Sequence, residues 1–280
     1  MQIYVKTAAL RKRISILKNR GLKIGFVPTM GALHEGHIAL IKASIGDNDI
    51  TICSIFVNPT QFNNKKDLQK YPRTKETDII KLNEAGTDIL FHPDINEVYP
   101  EGTDDKPEID LRGIDKIWEG EFRPGHFAGV VQVVKRLLDI VVPDALYMGQ
   151  KDFQQYTIIA HMLKKVESSV LLKIVPTIRE NDGLAMSSRN VRLTPQNRIN
   201  AVILYQMLSY AKANFNKISS QQIEKTALNS ISEKGLKPEY FKIVSIDTLT
   251  DISMNPGHKA VAIVAAWAGD VRLIDNMFMD

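Results

Sequence analysis

The stretch Val27-Pro28-Thr29-Met30-Gly31-Ala32-Leu33-His34-Glu35-Gly36-His37 carries the strongest chemistry in the chain. It leaves an apolar, strand-like run and opens a helical pattern. Backbone N–H groups in the first turn of a helix attract anions, and glycine lets a phosphate come close. His34 and His37 share one side of that turn. Two imidazoles there can donate hydrogen bonds to phosphate oxygens and stabilise charge that develops in a transition state. The spacing is wrong for a His-Glu-x-x-His zinc site, and neither a Walker A loop nor a Gly-x-Gly-x-x-Gly turn is present here. An isolated His-x-x-His is an ordinary pair of satisfied polar residues at roughly even odds. The strand–turn–helix setting shifts that balance towards a site.

Four further stretches carry polar chemistry. Ala185-Met186-Ser187-Ser188-Arg189-Asn190 lies in a polar loop, where two hydroxyls and a guanidinium can grip a polyphosphate. Alone, Ser-Ser-Arg is a common solvated loop. Gly149-Gln150-Lys151-Asp152-Phe153-Gln154-Gln155 leaves a strand candidate. Lys151 can neutralise a phosphate, Asp152 can accept from a ribose hydroxyl, and Gln155 can bind a polar substrate; the plain alternative is a capped helix start. In Ser54-Ile55-Phe56-Val57-Asn58-Pro59-Thr60-Gln61-Phe62, Asn58 and Gln61 are neutral two-way hydrogen bonders suited to hydroxyls and a carboxylate. Asn-Pro is also a common turn starter. Arg123 and His126, polar groups able to reach a substrate, precede a Val-rich helix start, Phe127 to Val134, that is more often core than pocket. Cys53, inside an apolar strand, reads as buried and inert. Trp118 and Trp267 show no stacking pattern with basic residues, and His92, His161 and His258 have no evident partner.

The elements that must position these residues alternate. Strands are predicted at Ile24–Val27, Ile50–Val57, Ile89–Phe91, Ala145–Met148 and Val170–Val175, with helices at His37–Ile45, Thr77–Ala85, Phe127–Ile140 and Phe153–Val166. Continuous Val/Ile-rich strands between amphipathic helices indicate a parallel sheet covered on both faces. In such sheets ligands bind at the carboxyl ends of the strands, where the polar stretches fall. An N-terminal helix capped by Thr7 and stopped at Gly21 accounts for the basic first residues better than a targeting peptide. After Pro176 the pattern changes to helices at about Pro195–Ala213 and Ser220–Lys234 and strands at Tyr240–Ile246, Ala260–Ala266 and Val271–Ile274. The expected fold class is α/β: a Rossmann-like parallel sheet over residues 1–176 and a smaller C-terminal α+β domain over 177–280. Thr103 to Phe122 reads as a mobile flap.

Composition narrows the function. The 280 residues carry a formal charge of +4, split evenly as +2 on either side of Pro176, with no dense Lys/Arg block. That argues against a nucleic-acid arm. One cysteine excludes an intramolecular disulfide and favours a reducing compartment, so a cytoplasmic location is expected. The longest apolar run, Ala260 to Ala268, is far short of the roughly 20 residues of a membrane span.

His-x-Gly-His on the first βα turn, with a late Ser-Ser-Arg loop, resembles the adenylate-forming nucleotidyltransferase superfamily. Adding Ser54–Phe62, Tyr71-Pro72-Arg73-Thr74, Gly125–Val134, Gly149–Gln155, Asp182–Asn190 and Arg272-Leu273-Ile274-Asp275-Asn276, the chain closely resembles the pantothenate synthetase (pantoate–β-alanine ligase) family nearly end to end. Gln132 and Arg192 depart from it, standing where the family leads one to expect Thr and an aromatic residue. The resemblance implies ATP-dependent condensation of pantoate with β-alanine through pantoyl adenylate, releasing AMP and pyrophosphate. It also implies Mg²⁺ dependence with no ligands assigned, a C-terminal lid and a homodimer.

For the site, the resemblance implies catalytic roles for His37, His34, Lys151, Ser187, Ser188 and Arg189. It implies nucleotide contacts from Met30, Gly31, Ala32, Leu33, Glu35, Gly36, Gly149, Gln150, Asp152, Ile178 and Met186. Substrate contacts are implied for Pro28, Thr29, Asn58, Gln61, Gln155, Val130, Val133 and Val134. The rivals are a cytidylyltransferase-like enzyme, an aminoacyl-tRNA synthetase fragment, and a non-catalytic regulator that binds nucleotide or nucleic acid. The Asn58–Gln61 and Gln155 set disfavours the first, and the lack of a basic surface or further domain disfavours the second. The two phosphate motifs weigh against the third.

Overall fold

The computed structural model describes residues 1–104, 107–252 and 259–279, so His258 lies outside the described residues. It separates into two compact units, Met1–Pro176 and Thr177–Asp280.

The first unit runs β1 (Gln2–Tyr4), α1 (Thr7–Asn19), β2 (Ile24–Thr29), α2 (Glu35–Asp47), β3 (Ile50–Ile55), α3 (Lys65–Lys70), α4 (Lys75–Glu84), β4 (Ile89–Phe91), α5 (Ile95–Val98), α6 (Glu119–Phe122), α7 (His126–Val141), β5 (Ala145–Gly149), α8 (Phe153–Lys165) and β6 (Leu171–Val175). The six strands form one sheet in the order β1-β4-β3-β2-β5-β6. Every pairing is parallel, with Ile24 opposite Ile50 and Gly25 opposite Ala145. The expected Rossmann-like class is the one observed. β2 lies at the point where the strand order reverses, so its carboxyl end and that of β5 flank the crevice where such sheets bind ligands.

Successive side chains on a strand point to opposite faces. Ile24 and Phe26 pack with α1, α7 and α8 in one core, while Val27 packs with Leu40 and Ile41 of α2 and Leu82 of α4 in another. The edges are barer than the sequence suggests. Leu171 of β6 is 63% exposed, since an edge strand lacks a neighbour to shield it. Edge strand β1 escaped the sequence reading because three residues carry too little periodicity.

The second unit holds α9 (Pro195–Asn200), α10 (Ile203–Asn214), α11 (Ser220–Glu233), β7 (Lys237–Ser245), β8 (Ala260–Ala268) and β9 (Val271–Phe278). Its sheet is antiparallel, β7-β8-β9, and packs on α10 and α11 through Leu204, Leu208, Ile223, Ile231, Phe241 and Val264. The single helix expected at Pro195–Ala213 is divided by a turn at Ala201 and Val202.

Other local expectations change too. Lys6, not Thr7, is the N-cap of α1; Thr7 donates its N–H and hydroxyl to Glu97 at 2.7 and 2.9 Å. The Thr103–Phe122 flap is anchored in its second half. Gln154 of α8, 5% exposed, bonds the backbone of Ile114, Ile117 and Glu119 at 2.7, 2.8 and 3.0 Å. Gln132 of α7 donates to the carbonyl of Thr103 at 2.8 Å, and Arg192 reaches the carbonyl of Asp270 at 3.3 Å, so both departures from the family pattern have structural partners.

Candidate active site

His34 is the N-cap of α2 and His37 completes its first turn. The two side chains are fixed by reciprocal bonds to backbone. His34 Nδ1 accepts the N–H of Gly36 at 3.1 Å, and His37 Nδ1 accepts the N–H of His34 at 3.3 Å. Each Nδ1 therefore offers its lone pair, and a neutral imidazole so held carries its proton on Nε2. Burial, aided by the nearby Lys151 cation, lowers the His34 pKa to about 4; burial and the His34 ring push His37 well below its ordinary value. The rings lie 4.1 Å apart between centroids. Both are thus neutral Nε2–H donors at neutral pH. A Cβ at position 36 would lie 2.8 Å from the His34 ring and push it aside, so Gly36 lets the ring keep this position.

The turn before the histidines is tied to a distant helix. The Asp78 carboxylate of α4, 1% exposed, accepts the N–H groups of Ala32 and Leu33 at 2.9 and 2.8 Å. Lys81, one turn along α4, donates to the Leu33 carbonyl at 2.6 Å. Sequence reading missed both. The signal available was Tyr71-Pro72-Arg73-Thr74 just ahead, whose Thr74 hydroxyl bonds Asp78 at 3.2 Å. Thr29, expected to touch substrate, spends its hydroxyl internally, donating to the Ser54 carbonyl at 2.7 Å and accepting from Gly31 N–H at 3.2 Å. Pro28 beside it is half-buried.

Asn58 also turns inward. It is 1% exposed, its Nδ2 donates to the Gly129 carbonyl (3.1 Å) and Gln61 Oε1 (3.2 Å), and its Oδ1 accepts from Tyr99 OH at 3.0 Å. Both hydrogens of its amide are taken by these bonds, one of which holds Gln61 in place. Gln61 Nε2 in turn reaches Met30 Sδ at 3.1 Å, which joins the second turn to the first. His126, expected to reach substrate, is 4% exposed and bonds the Gln61 carbonyl through Nδ1 at 2.8 Å. Burial and the Arg123 cation lower its pKa to about 3. Arg123 pairs with Glu119 at 3.5 Å. Helix α7 comes so close here that a Cβ on Gly129 would collide with the Thr60 carbonyl. Val130, Val133 and Val134, one turn further, are 2, 6 and 5% exposed and join the main core.

At the end of β5, Lys151 Nζ lies 3.3 Å from Asp152 Oδ1. Asp152 is the N-cap of α8 but makes no capping bond with its side chain. Gln150 N–H donates to Val175 at the end of β6. The adjacent glutamines diverge: Gln154 is buried in its three backbone bonds, and Gln155 is half-buried. The first unit therefore brings His34, His37, Lys151, Met30 and Gln61 to the carboxyl end of the sheet, with Gln155 on the first turn of α8.

In the second unit the serine loop is a braced hairpin. Arg179 bridges to Ala185, and Met186 N–H donates to the Ile178 carbonyl at 3.0 Å. Arg179 makes a bidentate pair with the buried Asp275 at 2.6 and 3.0 Å and stacks on Tyr205 at 4.7 Å. Asp182 pairs with Arg198 at 2.7 and 3.2 Å. Ser187 Oγ accepts the N–H of Arg189 at 3.2 Å, and Ser187, Ser188 and Arg189 are half-buried.

A parallel sheet with a neutral histidine pair at its switch point defines an α/β enzyme of the nucleotidyltransferase type. A family model described as Pantoate-beta-alanine ligase matches residues 2–278. Pantothenate synthetase from Bacteroides fragilis is 42% identical over 96% of this chain and 95% of that protein. The crystal structure of pantothenate synthetase from Thermus thermophilus superposes with a TM-score of 0.91 at 37% identity, covering 100% of this chain and 99% of that one. Pantoate–β-alanine ligase from Francisella tularensis, crystallised with βγ-ATP and β-alanine, superposes with a TM-score of 0.85 at 37% identity, covering 100% of this chain and 98% of that one. The chain belongs to the pantoate–β-alanine ligase family and is a ligase of that kind.

Proposed function

We propose that the chain condenses (R)-pantoate with β-alanine at the expense of ATP, through pantoyl adenylate. A pantoate carboxylate oxygen attacks the α-phosphorus, and the bond to the β-phosphate oxygen breaks to release pyrophosphate. The β-alanine amine then attacks the acyl carbon and expels AMP. The observation that carries this reading is the His34–His37 pair, two neutral Nε2–H donors held by backbone bonds at the start of α2. Preorganised donors of this kind stabilise charge moving onto a leaving phosphate.

In this reading His37 and His34 bind the phosphates, and Lys151 neutralises them. Asp152 accepts from the ribose, and residues 30–36, Gly149 and Gln150 line the nucleotide. Gln61 and Gln155 hold pantoate against Pro28, Val130, Val133 and Val134. Ser187, Ser188 and Arg189, with Ile178 and Met186, are assigned to the nucleotide on their chemistry, and the second unit is assigned as a lid that keeps water from the adenylate. Mg²⁺ suits the substrate more than the protein. Among the described residues no three His, Cys, Asp or Glu side chains converge as a metal site, and Mg²⁺ is commonly held by nucleotide phosphates with few protein ligands. The working unit is taken as a homodimer in the cytoplasm; a single cysteine, buried at position 53, fits a reducing compartment. No helix among the described residues is long and apolar enough to cross a membrane.

The test uses pantoate labelled with ¹⁸O in its carboxylate, together with ATP, Mg²⁺ and β-alanine. Transfer of one labelled oxygen into AMP is the expected result. Label in inorganic phosphate, with ADP as product, would show an acyl phosphate instead.

A further inference from the structure

A cavity of about 370 Å³ opens at the amino ends of β1, β3 and β4, the end of the sheet opposite the histidine turn. Arg13 of α1, Asn83 of α4, the turn residues Thr87 and Asp88, and Ile50 and Ile89 are among its lining. Two of these residues have unmet hydrogen-bonding capacity. Arg13 Nε is buried without a partner, and no carboxylate among the described residues pairs with its guanidinium. Thr87 is 2% exposed, and its hydroxyl also has no partner. Buried polar groups are nearly always satisfied, and a bound molecule is one way to satisfy them.

We propose that this cavity is a binding site for a small hydroxylated monocarboxylate. The Arg13 guanidinium matches a carboxylate in a bidentate fork. Asp88 accepts the Thr51 N–H at 2.8 Å and places a carboxylate at the cavity wall. The Met1 ammonium, 3.4 Å from Asn83 Oδ1, is a second cation at the wall, so Arg13 and Met1 against Asp88 leave a net charge of about +1, which matches a singly charged carboxylate better than a dianionic phosphate. Thr87 and the Asn83 amide supply neutral partners for a hydroxyl, and Ile50 and Ile89 cover a short carbon skeleton. The volume sits at the low end of small-molecule pockets, too small for a nucleotide with its phosphates. None of these residues belongs to the site assigned to ATP and pantoate, so occupancy here and catalysis are separable.

The experiment is a ¹H–¹⁵N NMR titration of the full chain with lactate, with pantothenate and with inorganic phosphate at matched ionic strength, read at the Arg13 Nε–H and the Thr87 amide. Saturable shifts with at least one of the two carboxylates, and none with phosphate, are expected. Arg13→Gln should weaken the Thr87 response about tenfold, the loss of a charge-assisted pair, while pantothenate formation stays at the wild-type rate. Should Arg13→Gln fold poorly, Thr87→Val reads the same site through the Arg13 signal and should weaken binding in the same direction. No shift with either carboxylate, an equal response to phosphate, or unchanged affinity in the folded variant overturns the proposal.

Discussion

His37 Nδ1 accepts the backbone N–H of His34 at 3.3 Å, so one histidine fixes the tautomer of the other through the main chain. The bond leaves the His37 Nε2–H as a donor for a phosphate oxygen. His37→Ala removes that donor and should lower pantoate-dependent ATP–pyrophosphate exchange by about 10²-fold or more. Gln at this position keeps an N–H donor and should recover part of the loss. Exchange at the wild-type rate in the alanine variant would remove His37 from the chemistry.

Stability should depend on pH through the same groups. Burial lowers His34 to about 4, His126 to about 3 and His37 well below its ordinary value, whereas an unfolded imidazole titrates near 6.5. Above about 6.5 both states are neutral and these groups contribute no pH dependence. As pH falls below that, the unfolded chain binds protons first, so stability drops between about 6.5 and about 4. Urea midpoints measured across this range should decline with acid, and less steeply in His126→Gln. Parallel curves for the two proteins would mean that His126 titrates normally in the folded chain.

Asp78 should matter to the nucleotide without touching it. Asp78→Ala strands two N–H groups, of Ala32 and Leu33, at a cost of about 1–3 kcal/mol each if they stay buried. The expected outcome is a lower Tm together with a raised KM for ATP, because the turn loses its shape. Asp78→Asn retains one acceptor and should fall between. A purely structural role would lower Tm and leave KM unchanged in the protein that remains folded.

The neighbours Gln154 and Gln155 should separate stability from binding. Gln154→Ala breaks three bonds to the 114–119 backbone and should destabilise the chain by roughly 1–3 kcal/mol. Gln155→Ala should leave the melting curve in place and raise KM for pantoate more than for ATP. Equal changes in both KM values would refute a pantoate contact for Gln155.

Much of this was legible in the residues. Periodicity located the four internal strands, read as Ile24–Val27, Ile50–Val57, Ile89–Phe91 and Ala145–Met148, because they are largely buried on both faces and so form nearly unbroken apolar runs; β3 itself stops at Ile55. The edge strand β1 and the break at Ala201 and Val202 were not legible, since a three-residue strand and a one-turn interruption barely disturb the pattern. In the site, His34 and His37 were legible because turn, helix start and imidazoles lie within one short segment. Residue type suggested a substrate contact for Asn58, and the family resemblance implied one for Thr29. Their hydrogen-bond partners, Gly129 and Tyr99 for one and Ser54 for the other, come from other elements and could not be read locally.

By itself the sequence determined the parallel α/β class, the family, and the short segments that bring the chemistry to strand ends. Only the tertiary structure decided which polar side chains face a ligand and which hold the backbone. A local pattern reports which way a side chain points, but a hydrogen bond needs a partner within about 3 Å. For the phosphate turn that partner is Asp78, 45 residues beyond Leu33 in the chain.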